Sequence, residues 1–151
     1  MIRADILSNM KTRFAAITKA GGYNYTVSKA ALFDVIPTAK STTVFVSIID
    51  NGITSIGANI GGVNPEDFEL SVTVICRLRV PVTGVETDYT LAPAKMSEDI
   101  RKSIGTDDTW TGKAFLTVYE SDTTDFSIGD VVVVQTSISL KIQFRVSKWS
   151  S

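Results

Sequence analysis

An α+β fold, with two helices packed on a mostly antiparallel sheet of about five or more strands, is what the amino-acid sequence predicts. Three observations carry that reading. Two segments repeat apolar residues at helical spacing, two long segments alternate apolar and polar residues at strand spacing, and the strands follow one another without intervening helices for most of the chain. With 151 residues, 44% of them hydrophobic and 21% charged, the chain suits one ordinary globular domain spanning 1–151.

Ile2, Ile6, Leu7, Met10, Phe14 and Ile17 recur at steps of three and four, which predicts a helix from Ile2 to Ala20 ended by Gly21 and Gly22. Tyr23, Tyr25 and Val27 then alternate with polar residues, the period of a half-buried strand. The β-branched and aromatic run Thr43 to Ile49 predicts a strand covered on both faces. Asp50, Asn51 and Gly52 supply turn chemistry, and the Gly- and Asn-rich stretch Ile53 to Pro65 reads as a loop or a weakly specified hairpin arm.

From Leu70 to Val80 the alternation is clear, with Leu70, Val72, Val74, Cys76, Leu78 and Val80 on one side and Ser71, Thr73, Arg77 and Arg79 on the other. Pro93 suits a first helical turn, and Met96, Ile100 and Ile104 place a second helix before Gly105. Glu98 and Asp99 near its start and Arg101 and Lys102 near its end follow the helix dipole. Thr106 to Gly112 reads as a polar turn, Lys113 to Glu120 as a short strand, and Ser121 to Asp125 as a polar loop. The last strand is the longest, with Val132, Val134, Ile138, Leu140, Ile142, Phe144 and Val146 sharing one side. Phe14, Phe45 and Phe144 fall at core phases; Tyr23 and Trp149, near element ends, suit either the core or a subunit contact.

The chemistry that is missing narrows the function. The sequence has no histidine, which removes Ser-His-Asp and Cys-His catalysis, and its single cysteine, Cys76, reads as a buried small hydrophobe. One cysteine without histidine also lacks the ligands of closed zinc sites, so no metal or cofactor is expected. The carboxylate neighbours Glu66/Asp67, Glu98/Asp99 and Asp107/Asp108 read as solvated turns and helix starts, because adjacent side chains point apart. Gly57, Gly61 and Gly62 match neither a phosphate loop nor a dinucleotide fingerprint.

Fifteen basic residues against sixteen acidic ones leave a net charge of −1, so no global field gathers nucleic acid or an acidic membrane. Arg77 and Arg79, with Lys141 and Arg145 beside them if the two long strands pair, form at most a local basic stripe, read as a solvated or subunit-facing side of the sheet. The opening residues lack a signal-peptide pattern and no apolar run approaches membrane-spanning length, so a soluble protein of a reducing cytoplasm is expected.

Local wording then suggests a family. The segments RADILSNMKTRFAAITKAGGYNYTV, SEDIRKSIGTDDTWTGKAFLTVYESDTTDF and VVVVQTSISLKIQFR, in that order, resemble the tail terminator (minor tail protein U-like) proteins of long-tailed bacteriophages: first helix with a GGY turn, DI-containing second helix with aspartate turn and return strand, and long final strand ending in Phe144 and Arg145. The resemblance spans most of the chain, omits Asp34 to Pro65, and departs at TDDTWTG, where relatives often carry proline or arginine.

The resemblance implies a structural virion protein of the tail neck, not an enzyme, assembled in the bacterial host cytoplasm. It implies a homo-oligomeric ring, typically of six subunits, that caps the last ring of the tail tube protein, ends polymerisation and meets the head's connector or stopper protein. DNA would pass through its lumen without specific recognition. Another neck or head-completion (stopper) protein, or a soluble ligand-binding module, is the alternative. The contact surfaces expected are, first, the loop residues Asn51, Gly52, Gly57, Asn59, Gly61, Gly62 and Asn64, ordering on docking, and then Arg77, Arg79, Lys141 and Arg145.

Overall fold

The structure, a computed structural model, describes residues 2–36, 44–58, 66–81, 90–129 and 131–146. In chain order the elements are α1 (Ile2–Ala15), a 3-10 turn (Lys19–Gly21), β1 (Val27–Ala31), β2 (Val44–Ala58), β3 (Glu66–Pro81), α2 (Ala92–Thr106), β4 (Leu116–Ile128) and β5 (Val131–Val146). One five-stranded sheet runs β1-β2-β3-β5-β4, antiparallel throughout except for the parallel β1–β2 pair. The expected α+β architecture of two helices on a mostly antiparallel sheet is therefore the architecture found.

The central pair β3–β5 follows from sequence alternation. Leu70, Val72, Val74, Cys76, Leu78 and Val80 lie opposite Ile142, Leu140, Ile138, Thr136, Val134 and Val132, and all twelve are buried on one face. Both helices cover that face: Ile6, Met10 and Phe14 from α1 and Met96, Ile100 and Ile104 from α2 join the same core. Even-numbered residues of β3 and β5 thus face the helices and odd-numbered ones form an opposite, open face. Phe144 and Phe14 are core residues as expected, but Phe45 is half-buried on the open face opposite Arg77. Its odd phase on β2 puts it there. Cys76 is fully buried, and burial followed by the nearby Asp99 charge pushes its thiol up to about 12.

Several boundaries differ from the sequence pattern for identifiable reasons. α1 stops at Ala15 and not at Ala20, because a tighter turn follows in which Thr18 Oγ1 accepts from Gly21 N at 3.1 Å and Gly22 closes the turn at φ +92°. β1 starts only at Val27, since the backbone N–H groups of Asn24 and Tyr25 donate to Asp99 at 2.8 and 2.9 Å and not to a strand. Asp99 is consequently no dipole charge at a helix start. It is a buried anchor for the turn ahead of β1, and burial, opposed by those two N–H bonds, holds its carboxyl above the usual range.

Asp50–Gly52 is not a turn ending a strand. β2 runs through it by a bulge, with Asp50 opposite Val72 and Ile53 opposite Leu70, and Gly52 takes φ +104° while its N–H donates to Asp50 Oδ1 at 2.8 Å. The predicted loop Ser121–Asp125 is strand as well, paired to β5 from Ser139 to Gln135. As an edge strand it buries neither face fully, so no alternation marks it.

The segment between α2 and β4 is the least expected. Trp110, inside the predicted polar turn, is fully buried, meets Phe14 edge-on at 6.1 Å, and lies under the Arg13 guanidinium at 4.5 Å. Its backbone is left-handed at φ +53°, followed by Thr111 at +64° and Gly112 at +76°. Asp107 holds this conformation by accepting from Thr109 N, Thr109 Oγ1 and Thr111 N at 3.0, 2.5 and 2.8 Å.

Those hydrogen bonds hold the Asp107 carboxyl down to about 2. A depressed folded value means stability that is fully present above about pH 4, where an unfolded aspartate ionises, and is lost as pH falls toward 2. Replacing Asp107 by Asn removes that contribution at every pH, so the variant should start less stable and lose less between pH 4 and 2. Urea midpoints taken across that window check this, and parallel slopes for the two proteins would refute it.

Candidate assembly interface

On the open face the four cations expected to form a contact surface occupy one continuous run of the β3–β5 ladder, but each is held differently. Arg145 is exposed, bound through Nε and Nη2 to both carboxylate oxygens of Asp67 at 2.6 and 3.1 Å, and stands over the Phe115 ring at 5.9 Å. This pairing lowers the Asp67 carboxyl. Lys141 is half-buried and donates to Ser71 Oγ at 2.7 Å. Arg79 is half-buried opposite Val133.

Arg77 departs from the expectation of an accessible cation: only 9% of it is exposed. The segment after β1 folds onto the open face there, and Arg77 Nη1 pairs with Asp34 and donates to the Val35 carbonyl at 2.9 Å, while Nε donates to Gln135 Oε1 at 3.0 Å. The neighbouring Ser47 Oγ, also buried, accepts from Val35 N at 2.8 Å. Arg77 thus staples Asp34 and Val35 to the sheet, and its hydrogen bond lowers the Asp34 carboxyl. Ion pairing of two of the four cations, Arg77 and Arg145, weakens the stripe's field for a phosphate backbone.

The expected docking loop divides in two. Asn51, Gly52 and Gly57 belong to β2, where Asn51 Nδ2 donates to Thr73 Oγ1 at 2.7 Å and Gly57 lies opposite Asp67. Their hydrogen bonding is that of a hairpin arm and not of a free loop. Asn59, Gly61, Gly62 and Asn64 lie outside the described residues, as does Trp149.

What sequence reading missed is the edge of the sheet. β4 is 13 residues long and only its β5 side is paired among the described residues. It presents exposed apolar side chains on both faces: Leu116 and Val118 on the open face, and Phe126 and Ile128 on the helix face, the register switching at a bulge between Tyr119 and Ser121. Ile128 is 80% exposed. At the opposite edge, β1 is followed by Leu32, Phe33 and Ile36, the last two 62% and 65% exposed. A long edge with no further strand beside it among the described residues, and with apolar side chains, is a template for another chain, and three acids on β4, Glu120, Asp122 and Asp125, restrict which chain that can be.

Two open grooves flank the helices. One of about 410 Å³ is lined by Asp5, Ser8, Asn9, Thr12, Thr111 and Lys113, and one of about 420 Å³ lies between α2 and β4, reaching Phe126. Among the described residues no cluster of three or more metal-binding side chains is present, and no helix is long and apolar enough to cross a membrane. No protein-family model matches the chain, and no curated protein matches it significantly.

Proposed function

We propose that this chain is a bacteriophage tail terminator: a structural virion protein, without enzymatic activity, that closes into a ring of about six subunits on the head-proximal end of the tail tube. The observation that carries the reading is the sheet whose two edges among the described residues are unlike, the 13-residue β4 at one end and β1, followed by exposed Phe33 and Ile36, at the other. Unlike edges on one subunit are what a head-to-tail contact needs, since one patch of each copy must fit a different patch of the next. The order of elements adds support. A first helix, a Gly-Gly-Tyr turn into the sheet, a second helix, an aspartate-held turn, a return strand and a long last strand is the order that the resemblance to terminators implies.

In this reading the partly neutralised open face and the β2–β3 hairpin arm are surfaces for the tail tube protein and the head's connector or stopper protein, recognised by shape more than by charge. The test is polymerisation of the tail tube protein encoded in the same genome, followed by electron microscopy. Substoichiometric amounts of this protein should stop tube growth, with a ring at one tube end. Tubes that reach the same length with and without it would contradict the proposal.

A further inference from the structure

We infer that neighbouring copies join by extending the sheet, with β1 of one copy docking antiparallel on the outer edge of β4 of the next and Lys29 of the first facing Asp125 of the second. The inference rests on the ring reading for its symmetry, while its contact is argued from the sheet itself.

Strand direction comes first. β2 and β5 run one way and β3 and β4 the other, and β1 runs with β2. A copy rotated about an axis along the strands keeps those directions, so its β1 meets β4 antiparallel, the geometry in which short strands pair well.

Height comes second. Lys29 lies opposite Phe45, Phe45 opposite Arg77, Arg77 opposite Gln135, and Gln135 opposite Asp125, one row crossing all five strands. With the strands along the ring axis, a closed ring has no rise from one subunit to the next, so the residues at the two ends of one row are brought together. The end residues of this row carry opposite charges and both are exposed.

Charge then selects the partner. β4 contains Glu120, Asp122 and Asp125 and no basic residue. Two β4 edges pairing with each other would set these acids together, which opposes a symmetric dimer. The β1 edge carries exposed Lys29, and the 3-10 turn ahead of β1 carries exposed Lys19, whose backbone N–H donates to Thr26 Oγ1 at 3.1 Å; the acid that follows, Asp34, is already paired with Arg77.

Cysteine bridging tests the contact, because the native Cys76 thiol is buried and held protonated. Protein carrying both Ser28→Cys and Thr124→Cys, treated with a short bismaleimide, should give a ladder of covalent oligomers, and either substitution alone should give none. Dimers from Thr124→Cys alone would mean that β4 pairs with itself and would overturn the inference. Rings visible by electron microscopy without a ladder would overturn it too while leaving the ring reading intact. A ladder of open chains would support the edge contact and count against the ring. A second readout needs no cysteine: Lys29→Glu should weaken association severalfold, and adding Asp125→Lys to the same chain should restore it. If the double variant is as weak as the two single losses combined, these two residues do not meet.

Discussion

Trp110→Ala is expected to cost about 3–5 kcal/mol of folding free energy, the range for truncating a fully buried large aromatic. The side chain fills the space between Phe14 and the turn leading to β4, and its Nε1 donates to Thr117 Oγ1 at 2.8 Å, so α1 and the edge strand are both secured through it. The bulky residue also holds a left-handed backbone that costs roughly 1–2 kcal/mol, offset by packing of the ring together with the Asp107 hydrogen bonds. Trp110→Phe should lose less, since a smaller ring stays in place and Thr117 Oγ1 keeps its bond to the Asp108 carbonyl at 2.6 Å. Urea unfolding followed by far-ultraviolet circular dichroism measures both, and a loss below about 1 kcal/mol for the alanine variant would mean that the turn is not anchored by its indole.

Phe33→Asp should leave folding intact and abolish assembly. The residue is 62% exposed, so its removal opens no core cavity, and the substitution sets an acid beside Lys29, whose ammonium lies over the Phe33 ring at 5.8 Å, weakening that lysine's attraction to the acids on β4. Loss of the apolar ring together with neutralisation of Lys29 is expected to weaken association by roughly 30-fold or more per contact, about 2 kcal/mol. Sedimentation velocity at matched concentrations checks this. An unchanged oligomer would remove Leu32–Ile36 from the interface.

The fold was legible wherever burial is one-sided. The alternation of β3 and β5 and the helical stripes Ile6–Met10–Phe14 and Met96–Ile100–Ile104 leave a periodic trace because one face is dry and the other wet. The trace fails where that asymmetry fails. Ser121–Asp125 is exposed on both faces of an edge strand, and reads as loop although its backbone is fully laddered to β5. Asp50–Gly52 carries turn residues because a bulge needs the same left-handed glycine that a turn does.

Trp110 was illegible for a different reason. Its neighbours Asp107, Thr109 and Thr111 are polar because they hold the turn, and that polarity hides the one side chain that the turn drives inward. The same limits govern the interface. Lys141 and Arg145 lie on the face that alternation assigned them, and Arg77 lies on it too, but covered by the segment after β1, a long-range contact no local pattern encodes. The level match of Lys29 with Asp125 depends on the register of four strand pairs at once, which only the assembled sheet reveals.

The central claim is that unlike sheet edges close copies of this chain into a ring, and the most direct measurement is the mass and shape of the purified protein in solution. Light scattering on a sizing column, with negative-stain images of the same fractions, should give a ring-shaped species of about six 16.3 kDa subunits, near 98 kDa, with a central opening. A 16.3 kDa monomer at every concentration, or filaments that never close, would contradict it.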